Sequence, residues 1–153
     1  MRLTEHFAFE ELTNSTAHPD LVAENREEAG RLYLANLTDL AKFILEPIRA
    51  KYGPLIVDNG FRGEVLNKAV GGASTSLHRI GKAADVSRKD WTWERLGEVM
   101  LWLKNESGLR WGEAIREKRT KTGGIWLHIT TPAPGNVMEM WDGIDGEYTA
   151  FGK

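Results

Sequence analysis

Cysteine is absent from the chain. That excludes disulfides, thiolate metal ligands and a cysteine nucleophile, and it leaves His, Asp and Glu as the side chains able to hold a metal. No run approaches the ~20 apolar residues needed to cross a bilayer. The opening "MRLTEHFAFEELTNSTAH" also lacks the apolar stretch of a secretion signal. An excess of one charge is missing too: 20 Lys and Arg stand against 22 Asp and Glu, a formal net charge of -2. Nothing in that balance draws the protein to nucleic acid or to an anionic membrane. Internal repeats, low-complexity segments and linkers are likewise not visible.

What is present suits a folded, water-soluble chain. Hydrophobic residues make up 41% and charged residues 27% of the 153 positions, which points to a single domain spanning residues 1–153. Residues 1–30 read as polar, with "FAFEEL" as a short helical turn. In "NLTDLAKFILEPIRAKYG", Leu37, Leu40, Ala41, Ile44, Leu45 and Ile48 follow the spacing of one apolar helical face. A helix is therefore expected over 36–50, bent at Pro47 and ended at Gly53. "PLIVDNGFR" reads as a buried strand entering a turn, and "GEVLNKA" as a short helix. A second long helix is expected over 91–104, capped by Asp90 or Thr92. "EAIREKRTKTGGIWLHIT" alternates on either side of a Thr-Gly-Gly turn, a hairpin pattern. The tail, 132–153, reads as irregular or edge structure.

The stretch "SLHRIGKAAD" holds the chemistry of most interest. His78 and Asp85 flank a glycine and two alanines, and a loop running into a strand can fold the two side chains together. His128, in the strand "IWLHIT", is the third candidate ligand, because a catalytic zinc site uses three protein ligands and keeps one position open. Pairing across a two-residue turn places Glu117 directly opposite His128; moving the turn by one residue makes it a diagonal neighbour. Both registers keep Glu117, and also Glu113, on the face of His128. A carboxylate there can act as general base. Arg62 offers a guanidinium for a substrate carboxylate or an oxyanion. His6 and His18 sit in polar segments and are taken as non-ligands. Each of these residues alone also has an ordinary structural reading.

In order, the pieces are "DNGFRGEVLNKAVGGASTSLHRIGKAADV" and, downstream, "EAIREK" and "GGIWLHIT". They resemble the M15 group of zinc peptidases, the D-Ala-D-Ala carboxypeptidases and their phage endolysin relatives. The likeness lies in Ser76-x-His78, in Gly81, Ala83 and Asp85 with a register difference of one, and in Trp126-x-His128. Phe61-Arg62, the run Asn67 to Ala73, "FAFEEL" and "LEPIR" add to it. The resemblance covers about residues 5–131.

It implies an α+β fold in which a small antiparallel sheet carries the zinc site and packs against helices. It also implies Zn2+ held by His78, Asp85 and His128, with Glu117 (in Ile115-Arg116-Glu117) as base and Glu113 as the other candidate. Arg62, Ser76 and Trp126 would meet substrate. The implied partner is a peptidoglycan stem peptide, cut by a monomer. Lacking a visible signal, the protein is expected to be made in the cytoplasm and delivered to the wall by phage lysis or in a virion. A zinc-containing, wall-binding module without catalysis is the alternative.

Overall fold

The computed structural model describes residues 1–152; Lys153, the end of the tail, lies outside the described residues. After the short helix α1 (Phe9–Leu12), the chain is helical without a break from 22 to 52. This long rod comprises α2 (Val22–Glu28), α3 (Leu34–Leu40) and α4 (Glu46–Tyr52). Wide turns at Ala29–Tyr33 and Ala41–Leu45 join them. In the second wide turn the Glu46 N–H reaches back five residues to the Ala41 carbonyl. Pro47, which has no N–H to donate, follows at once, so the helix absorbs it by widening rather than breaking. Gly53 ends the rod at φ +93°.

The rod therefore begins well before residue 36, where the apolar stripe starts. Its first part has a polar inner face. Buried Asn25 donates to the carbonyls of Thr13 (2.9 Å) and Phe61 (3.1 Å) and accepts from the Gly63 N–H (2.6 Å). Further along, all six residues of the expected stripe are fully buried.

Six strands form one mixed sheet in the order β1-β2-β4-β3-β5-β6. They are β1 (Ile56–Asn59), β2 (Ala83–Ser87), β3 (Glu113–Lys118), β4 (Ile125–Thr130), β5 (Glu139–Ile144) and β6 (Glu147–Ala150). Helix α5 (Glu64–Ala69) precedes β2, and α6 (Trp93–Asn105) follows it, capped by Thr92. The sheet differs from the expected antiparallel one at a single ladder: β5 runs parallel to β3. It also reaches further, because the tail, read as irregular or edge structure, supplies two strands: β5, which lies inside the sheet beside β3, and β6, its edge. Strand β1 is not buried, as expected, but is the opposite edge, with Ile56 exposed.

Alternation along the strands separates two faces. Ala84, Val86, Ala114, Leu127 and Ile129 join the buried residues of the long rod and of α6 in one hydrophobic cluster. Asp85, Ile115, Glu117 and His128 occupy alternate positions and share the other face. Arg116 fastens the last strands on the helical side. Its guanidinium makes a two-point contact with Asp142 of β5 (2.8 and 2.9 Å) and lies over the Trp93 ring at 3.9 Å.

Candidate metal centre

Asp85 and His128 are directly opposite one another on β2 and β4. Their side chains meet at 2.8 Å, Asp85 Oδ1 to His128 Nδ1. His78 comes from a tight turn, Leu77–Ile80, that Ser76 caps by accepting the His78 N–H. Its Nε2 lies 3.5 Å from the same Asp85 oxygen. One donor atom from each residue falls within 4.8 Å of the other two. His6 and His18 stand elsewhere: His6 Nδ1 pairs with Glu46 at 2.8 Å, and His18 precedes the turn Pro19–Leu21.

The surroundings fit a divalent cation. Histidine ligands ordinarily give their second ring nitrogen to an outer partner that fixes the ring. His78 Nδ1 meets the Gly60 carbonyl at 2.7 Å, which leaves Nε2 facing the cluster. His128 Nε2 lies 3.5 Å from Glu113 Oε1, which leaves Nδ1 facing inward. Gly60 is required for the first contact, since a Cβ there would fall 2.2 Å from the Leu12 carbonyl oxygen. Two imidazoles and a carboxylate are also a donor set suited to zinc.

Burial opposes charge on His128, but the hydrogen bonds to Asp85 and Glu113 outweigh it and push the imidazole up to about 10. Burial likewise opposes charge on Asp85; the neighbouring His78 and the His128 hydrogen bond hold it well below the usual carboxylate range. Without an ion the centre is thus a buried ion pair.

A cleft of about 690 Å³ opens over the cluster. Glu117 lines it, but in neither expected register. The ladder pairs Ile115 with His128 and Glu117 with Trp126. Glu117 is therefore a diagonal neighbour of His128 on the expected face, one step further along. The reason lies at the hairpin tip. Asp145, from the β5–β6 turn, accepts the Thr120 N–H (2.9 Å) and hydroxyl (2.7 Å), and the Arg119 N–H closes on the Gly124 carbonyl (2.9 Å). The loop is thereby drawn out to 120–123. Both Glu117 oxygens accept hydrogen bonds, from Trp126 Nε1 and from the Tyr148 hydroxyl, each at 3.0 Å. Burial nevertheless raises its carboxyl above the ordinary glutamate range.

Arg62 lies at the cleft wall, with Nη2 donating to Ser76 Oγ at 3.3 Å. Its Nε is buried without a partner among the described residues, and burial lowers the guanidinium pKa. Tyr148 and the Gly60 carbonyl have no place in the sequence reading. For Tyr148 a signal was available: Asp145-Gly146, both at positive φ, is a strong hairpin turn between two short alternating runs.

A buried His-Asp-His cluster at the floor of an open cleft, on a mixed α/β scaffold, is the kind of site that holds a catalytic metal. The sequence pattern of the Peptidase M15 family matches residues 5–118, and the chain belongs to that family. The matched span ends before β4, so the match itself does not extend to His128. A stretch of 54 residues, 35% of this chain, is 41% identical to a glutamate-1-semialdehyde 2,1-aminomutase of Methanoculleus marisnigri. That stretch spans 13% of the aminomutase and carries none of its activity over. No helix among the described residues is long and apolar enough to cross a membrane.

Proposed function

We propose that the protein is a zinc-dependent peptidase hydrolysing amide bonds in peptidoglycan stem peptides, of the D-Ala-D-Ala carboxypeptidase or L-Ala-D-Glu endopeptidase type. The observation that carries this reading is the meeting of His78, Asp85 and His128 in the cleft that Glu117 lines. These three residues would hold Zn2+. Bound zinc supplies a water whose pKa falls from about 15.7 to roughly 7, and it polarises a carbonyl oxygen.

The chain's own groups do the rest. Glu117 takes a proton from the attacking water and passes it to the leaving amine. Its raised pKa suits a group that must both accept and give. Arg62, steadied by Ser76, binds a substrate carboxylate or steadies the developing oxyanion. Trp126 forms part of the cleft wall and orients Glu117. Glu113, in contact with His128 Nε2, is better placed to orient that ring than to act as base. Residues 1–153 form a single domain, brought to the wall by lysis or in a virion.

Digestion of purified peptidoglycan, with mass analysis of the fragments, tests the proposal. The metal-loaded protein should release fragments of one bond type, and a chelator should abolish release. Loss of a terminal D-Ala marks the carboxypeptidase, and freed stem peptides mark the endopeptidase. A metal-loaded protein that binds the wall but releases nothing would leave a binding module instead.

A further inference from the structure

The base has a second holder that comes from beyond the family span. Four residues form one row across four strands. Trp126 on β4 pairs with Glu117 on β3, Glu117 pairs with Gly143 on β5, and Gly143 pairs with Tyr148 on β6. One strand, β5, separates the outer side chain from the carboxylate. Here the intervening residue has no side chain. A Cβ at Gly143 would lie 2.8 Å from Tyr148 Cε1 and 3.1 Å from Glu117 Cγ. The missing atom is therefore the space through which the tyrosine ring leans across β5 to reach Glu117 Oε1.

We infer that Tyr148 is a positioning residue for Glu117, so that the C-terminal hairpin β5–β6 completes the peptidase site. The inference rests on the reading of Glu117 as the base. Glutamate has three rotatable side-chain bonds and would otherwise sample several rotamers in an open cleft. Donors on both oxygens, Trp126 from one side and Tyr148 from the other, restrict the carboxylate to one plane. Each oxygen keeps a further lone pair for the water it must deprotonate. Tyr148 is 53% exposed, so the core gains little from it. The turn beneath it is secured separately, by Asp145 holding Thr120.

The test is a double-mutant cycle on the full, zinc-loaded chain, with soluble stem peptides as substrate. Tyr148→Phe removes one hydroxyl and keeps the ring. It should lower kcat about tenfold or more, as expected for one hydrogen bond to a charged carboxylate. KM, zinc affinity by chelator competition and the unfolding midpoint should not move. In a Glu117→Gln background the same change should have no further effect on the residual rate, because the two residues act as a unit. An equal loss in both backgrounds would overturn the inference, as would full activity of Tyr148→Phe beside an inactive Glu117→Gln. If Glu117→Gln itself turns over normally, the base reading fails and takes the inference with it.

Discussion

Replacing His128 with Ala in protein stripped of metal should destabilise the fold by an amount that depends on pH. The folded imidazole has a pKa of about 10, against 6.5 for the free group. At 1.36 kcal/mol per unit, that rise is worth on the order of 5 kcal/mol. The folded value lies above the unfolded one. The contribution is therefore complete below about pH 6.5 and disappears as pH climbs towards 10. Asp85 moves the other way: its contribution is complete above the usual aspartate value and is lost on acidification. The pair stabilises most between about pH 4 and 6.5. Urea unfolding in the presence of a chelator, at several pH values from 5.5 to about 9.5, measures the gap between the wild-type protein and His128→Ala. Packing lost with the ring is the same at every pH and drops out of the slope. The gap should narrow by several kcal/mol over that range. A gap independent of pH would refute the ion pair and with it the account of how the empty centre is held together.

Zinc at a hundred times its dissociation constant should stabilise the wild-type protein by about 2.7 kcal/mol, or roughly 5–10 °C in unfolding midpoint. His78→Ala and Asp85→Asn should abolish that shift in thermal scans. Gly60→Ala should weaken zinc binding, read by chelator competition, because its Cβ cannot share space with the Leu12 carbonyl and the loop must move away from His78. Arg62→Lys keeps the charge and loses the fork; it should lower kcat/KM on stem peptides about a hundredfold while zinc affinity stays unchanged.

Much of the site could be read from the chain because strand parity is unforgiving. Alternation alone places Asp85, Glu117 and His128 on one face once their strands are recognised. The apolar stripe from Leu37 to Ile48 was equally clear, since helical burial leaves a period of three to four. The features that escaped depend on distant partners. The hairpin register is decided at Thr120 by Asp145, 25 residues away. The first turns of the long rod bury Asn25, a polar residue satisfied by three backbone groups, so no apolar period marks them. The tail was legible only in part: β6 is the edge strand that the reading allowed, but nothing marked β5 as an interior strand beside β3, although Asp145-Gly146 is the turn that joins β5 to β6.

The two imidazoles are steered by groups of different kinds. His128 leans on the Glu113 carboxylate, whereas His78 leans on the main-chain oxygen of Gly60. Truncating a side chain deletes the first support; the second is a main-chain oxygen that every residue type carries, and only a substitution that shifts the backbone, such as Gly60→Ala, takes it away. Mutational drift therefore falls unevenly on the pair: a single codon change removes the guide for one ring, while the other loses its guide only when the loop itself is displaced.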